Sequence, residues 1–212
     1  MSKAITQSLI LLLLTYIALL LVYKAGPLGA IYEKYFLSSN KFWHQDHGRN
    51  GKVDFKLKEA IGNKGKDAVL SIYNQTQKEA ALRLGRQQPQ NKNISYDADT
   101  ITVDIWNFSA LGLILMMAII LALPCGWKNK FLALIAGFLL YHIYIWLKMY
   151  LLINREYIRY PHLDNNGLSP LLGKINNYCY AIMENIGFSL FIASLTAIML
   201  GMNQKSREKL FG

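Results

Sequence analysis

The sequence predicts an α-helical integral membrane protein with four transmembrane helices and a small α+β extramembrane domain between the first and second. Three observations carry that expectation. Of 212 residues, 53% are hydrophobic and only 17% charged, too apolar for an ordinary soluble chain of this length. Four apolar runs approach the roughly 20 residues a helix needs to span about 30 Å of hydrocarbon. Between the first two runs lies a polar stretch with strand-like alternation.

The first run, residues 7–23, follows Lys3 and is leucine-rich, as a secretory signal would be. No small-x-small cleavage site follows it, so residues 1–23 are expected to be an N-terminal anchor. Residues 24–104 then form the extramembrane domain. Ile31, Tyr32, Tyr35 and Phe36 share one helical face, which continues the first span as an amphipathic helix. "VDFKL" (53–57), "AVLSIY" (68–73) and "TITVDIW" (100–106) favour strands, and "GRNGK", "GNKGK" and "GRQQPQNKN" separate them. Few large aliphatics are available there, so the core is expected to be small and to need a partner or the membrane. Residues 105–212 hold the spans 108–124, 131–153 and 179–201 and a polar tail.

Lys and Arg in short loops set the orientation. With the N-terminus in the cytoplasm, that side collects Lys3, Lys128, Lys130, Lys205, Arg207 and Lys209, against Arg155, Arg159 and Lys174 on the other. Both termini are therefore expected in the cytoplasm, and the domain outside it. The net charge of +10 is scattered through polar segments and forms no aromatic-interleaved stripe, which excludes a nucleic-acid surface. Cys125 and Cys179 fall at opposite membrane faces and cannot pair within one chain.

The third span contains "YHIYIWLKMY" (141–150), an unusual stretch for hydrocarbon. His142 and Lys148 point in different directions around the helix, so they do not form a catalytic pair. His142 sits near mid-bilayer and is read as hydrogen-bonded to a neighbouring helix; a proton relay is the sharper alternative. Lys148, nearer the outer end, can snorkel or pair with Glu184 of the antiparallel fourth span. Tyr144, Trp146 and Tyr150 are expected to anchor the span at the interface. Asn185, Ser189, Ala193 and Thr196 make a packing seam on the fourth span, and no broken-helix signature of a carrier is visible. The other spans lack histidine, so a bis-histidine haem within one chain is excluded, and no cofactor is expected.

Outside the spans, "WHQDHG" places His44, Asp46 and His47 in one loop. Such a cluster can ligate zinc, although its glycines and Asn50 favour a plain polar turn. Arg155, Arg159 and His162 can contact anions such as lipid headgroups, while "LSPLLGKI" (168–175) can lie amphipathically on the surface. Cys179 with Arg159 and His162 is the weak basis for a membrane cysteine transpeptidase.

One leading span, an outer domain with strands, and "NFSALGLILMMAIILALPCGWKNKFLALIAGFLLYHIYIW" (107–146) together resemble the small membrane proteins associated with exosortases in Gram-negative bacteria. That resemblance implies an inner-membrane, non-catalytic companion of an envelope protein-sorting or export machine, and it transfers no site residues. The expected partners are other membrane protein subunits and phospholipid, and a homo-oligomer is compatible. A proton- or ion-conducting subunit using His142, Lys148 and Glu184 is the alternative reading. The transpeptidase comes third, because no convincing catalytic constellation is present.

Overall fold

The computed structural model describes residues 3–47, 50–59, 66–87, 98–160, 163 and 169–201. They form α1 (Lys3–Ala25), α2 (Pro27–His44), β1 (Asp46–His47), β2 (Gly51–Glu59), β3 (Lys66–Asn74), α3 (Gln75–Gln87) and β4 (Ala98–Asp104). A π-helical turn (Trp106–Ala110) leads into α4 (Leu111–Ala122), followed by α5 (Trp127–Arg159), α6 (Pro170–Glu184) and α7 (Ile186–Gly201).

Two helices, α1 and α5, are long and apolar enough to cross a membrane, and a third crossing results if α6 and α7 count as one broken span. This is the make-up of an integral membrane protein. α1 leaves Leu9, Ile10, Leu13, Leu14, Ile17 and Leu21 exposed. An apolar surface of that extent seldom faces water on a soluble monomer.

The chain divides into two compact units: Met1–Tyr32, Ile105–Ile145 and Met183–Gly212 in the first, Glu33–Asp104 and Trp146–Ile182 in the second. These units cut across the three sequential segments read from the sequence. α5 contributes its first half to one unit and its last fourteen residues, Trp146 to Arg159, to the other.

In unit 1, four helical segments alternate in direction. The end of α1 meets the start of the π-helical turn, where Tyr23 packs on Trp106 at 5.2 Å and Lys24 lies 5.0 Å above the same ring. α5 runs back along α4. Lys130 Nζ donates to the Leu121 carbonyl near the end of α4, and Tyr141 Oη donates to Ser109 O (3.2 Å) at its beginning. A basic side chain on those orphan carbonyls is the favoured helix C-terminal arrangement. Gly112 is required: a Cβ there would collide with the Tyr141 hydroxyl. α7 packs on α4 through Ser189, Ala193, Ala197 and Gly201. Of the expected seam, Ser189 and Ala193 are buried and are continued by Ala197 and Gly201, whereas Thr196 is half-buried and Asn185 exposed at the break before α7.

The fourth apolar run is not one helix. α6 and α7 are bent by 76° at Asn185. The Asn185 side chain accepts the Gly187 N–H (2.7 Å) and its carbonyl accepts the Phe188 N–H (3.1 Å), which caps α7 and starts a new helix. Residues 179–184 therefore belong to α6, and the expected absence of a broken helix is corrected.

In unit 2, the four strands form an antiparallel meander in order β1-β2-β3-β4. Val53 faces Ile72, Phe55 faces Leu70, and Ala68 faces Val103; all six are buried, so one face of the sheet is the core face. The three predicted strands are present. α2 packs by Glu33, Phe36, Asn40 and His44, a buried stripe at helical spacing, whereas Ile31 is exposed. The missing apolar mass comes from elsewhere in the chain: Met149, Leu152, Ile153 and Tyr157 of α5 are all buried.

Candidate functional site

The polar residues that the sequence singles out gather mainly in unit 2, around the second half of α5. His47 Nε2 and Asn154 Oδ1 are 2.6 Å apart, and the His47 ring stacks on Tyr157 with centroids at 4.9 Å and planes 9° apart. Tyr150 flanks both histidines, 6.4 Å from His44 and 5.5 Å from His47. The Tyr157 hydroxyl reaches the carbonyls of Lys52 (3.3 Å) and Tyr73 (3.4 Å), tying α5 to two strands at once. Gly51 leaves the room for it, since a Cβ there would stand 2.6 Å from that hydroxyl. His44 is buried and hydrogen-bonds the Trp146 backbone. Burial, reinforced by nearby His47, pushes its pKa down to about 4, partly offset by that hydrogen bond. Burial likewise lowers the pKa of His47, against the Asn154 contact. Both rings are neutral at pH 7.

His44, Asp46 and His47 do not converge on a metal position. Asp46 pairs with Lys52 on the exposed side of the β1-β2 ribbon, while the two histidines turn to Trp146 and Asn154. Among the described residues, no group of three His, Cys, Asp or Glu side chains is placed to hold a metal ion.

Arg155 and Arg159 are also engaged within the chain. Glu156 is buried and receives the Arg155 guanidinium at 2.8 and 3.0 Å, with Arg159 at 3.8 Å. Arg155 additionally lies 4.2 Å above the Tyr180 ring of α6. A lipid headgroup would compete with Glu156 for both guanidinium groups. His162 lies outside the described residues, so of the transpeptidase trio only Cys179, partly exposed on α6, and Arg159 are placed.

The chain matches no family model, no curated protein and no solved structure.

The decapeptide that looked anomalous for hydrocarbon is divided between the units. Tyr141 and His142 are buried in unit 1, where His142 Nδ1 donates to Phe138 O of its own helix (2.7 Å) and its ring lies 6.0 Å from Tyr32. The sequence reading expected His142 to bond a neighbouring helix; its Nδ1 bonds within its own helix. The Tyr144 hydroxyl is engaged within the protein, contacting Ser189 Oγ (2.8 Å) and Met183 O (3.4 Å) across the break before α7. Trp146 packs on Trp43 at 5.2 Å within unit 2. Lys148 is 2% exposed, so it is enclosed by protein and does not snorkel; it belongs to unit 2, and Glu184, exposed, to unit 1. The sequence did not single out Tyr157, Asn154, Glu156 or Asn176. A polar cluster just past the length needed to cross a bilayer was the available signal.

Proposed function

We propose that this protein is a non-catalytic accessory subunit of a larger cell-envelope membrane complex, of the kind that sorts or exports proteins. In this reading four segments of unit 1 cross a bacterial inner membrane, unit 2 stands outside the cytoplasm, and both termini lie in the cytoplasm. The supporting observation is the use made of the polar groups. His47 with Asn154, and Tyr157 with the carbonyls of Lys52 and Tyr73, fasten α5 to the strands of unit 2, while Glu156 takes up Arg155 and Arg159 along the helix itself. Such bonds position a rigid domain; none of them leaves a nucleophile beside a base. The alternating directions of α1, α4, α5 and α7 accord with this topology, and the resemblance to exosortase-associated proteins supplies the class of machine.

Extraction of native membranes in mild detergent tests the reading. The expected result is a particle holding a second membrane protein in fixed ratio to this chain. A chain recovered alone, as monomer or homo-oligomer, would overturn it.

A proton- or ion-conducting subunit is the second reading, favoured by the break at Asn185 beside Glu184, since interrupted helices carry ion sites in carriers. Flux in proteoliposomes that disappears with His142→Ala or Glu184→Gln would support it. Unchanged flux in both would eliminate it.

A further inference from the structure

We infer that α6 is an interfacial helix whose exposed apolar stripe lies in the headgroup boundary of the bilayer that unit 1 enters. This rests on the membrane reading above and adds a lipid contact outside the crossing segments.

α6 has two opposed stripes. Gly173, Asn176 and Tyr180 face the second half of α5: a Cβ at Gly173 would sit 3.7 Å from Ile158, Asn176 Nδ2 donates to Leu151 O at 3.0 Å, and Tyr180 lies under Arg155. The opposite stripe is Leu171, Ile175, Tyr178 and Ile182, at spacings of four, three and four residues, and they are 67%, 49%, 71% and 40% exposed. Four large exposed apolar residues along one line of a helix, with Leu172 exposed beside them, are costly in water. Lys174 and Asn177 border the stripe on one side, where the headgroups would take them.

The local chain geometry selects lipid as the occupant. One residue, Asn185, separates α6 from α7, whose Phe191, Leu195, Ile198 and Met199 are exposed and apolar as a bilayer-facing surface requires. A helix bent 76° from one that runs near the bilayer normal lies close to the bilayer plane. α6 thus leaves the point where α7 enters the membrane and runs along the surface, its apolar line continuing the lipid contact of α7. Tyr178 takes the interfacial aromatic position.

Depth-resolved quenching tests this in the full chain, reconstituted in phosphatidylethanolamine/phosphatidylglycerol vesicles containing a lipid spin-labelled at a shallow or a deep acyl carbon. Single cysteines would be introduced as Leu171→Cys, Ile175→Cys, Tyr178→Cys and Ile182→Cys in a Cys125→Ser, Cys179→Ser background and labelled with a polarity-sensitive fluorophore. Asn177→Cys and Leu13→Cys serve as controls. All four stripe positions should be quenched severalfold more by the shallow than by the deep label, at one common depth, with Asn177 open to a water-soluble quencher. A depth that increases steadily from Leu171 to Ile182 would show α6 crossing the bilayer and overturn the inference. Lipid quenching at Leu13 but at none of the four would also overturn it, showing the stripe covered by protein or facing water. Absence of lipid quenching at Leu13 would overturn the membrane reading itself.

Discussion

Replacing Tyr157 by Phe removes one hydroxyl and leaves the carbonyls of Lys52 and Tyr73 without it. Tyr157→Phe should destabilise the protein by about 1 kcal/mol and Tyr157→Ala by about 3–5 kcal/mol, read by chemical denaturation in detergent. His44 makes a pH-dependent contribution. Its pKa falls from about 6.5 in an unfolded chain to about 4 when folded, so the unfolded state binds the proton first. Stability from keeping His44 neutral is complete above about pH 6.5 and is lost as pH falls through about 4. That loss is on the order of 3 kcal/mol. His44→Gln keeps a donor for Trp146 without titrating in this range, and its denaturation midpoint should fall less over the same interval. An unchanged pH profile would show that His44 is not the group responsible.

Elements were legible where periodicity was strong. The three longer strands announced themselves through alternation or strand-forming residues; α2 was legible as a helix, but its buried stripe in unit 2 runs through Glu33, Phe36, Asn40 and His44 and shares only Phe36 with the face read from the sequence. α3 was not recognised, because none of its residues is buried and its support is local: Asn74 Oδ1 accepts the N–H groups of Thr76 (2.9 Å) and Gln77 (3.2 Å). The break before α7 was hidden because an apolar run scored for hydropathy says nothing about a cap within it. Asn185→Ala should cost about 1 kcal/mol, the usual price of an N-cap, and should lower the thermal midpoint of the solubilised protein. The close approach of α4 and α5 gives a sharper test. Gly112→Ala should destabilise by about 1–3 kcal/mol through collision with the Tyr141 hydroxyl. Adding Tyr141→Phe removes that hydroxyl and should recover part of the loss, a coupling visible in a double-mutant cycle.

At the scale of the molecule, hydropathy identified the apolar segments, but helix length decides what α5 does. Its 33 residues extend about 50 Å at roughly 1.5 Å each, well beyond hydrocarbon thickness. Lys148, among its last fourteen residues, is buried in unit 2, and Tyr141 and His142 before them are buried in unit 1, so these three polar side chains of "YHIYIWLKMY" are enclosed by protein. The sequence reading let Lys148 snorkel or pair with Glu184 near the outer end of its span, whereas its side chain is enclosed by protein. That reading also found too little apolar mass in residues 24–104, correctly, since part of that core is supplied by α5 from far along the chain. The candidate site followed the same division: the histidines of the loop were visible, while Asn154 and Tyr157 became meaningful only when α5 entered unit 2.

Sidedness is the most direct test of four crossing segments in unit 1. Single cysteines at Lys128, at the start of α5, and at Leu84, on exposed α3, can be challenged with a membrane-impermeant thiol reagent in intact spheroplasts and inverted vesicles. The account predicts that Leu84→Cys reacts only in spheroplasts and Lys128→Cys only in inverted vesicles. Reaction of both from the same side would contradict it.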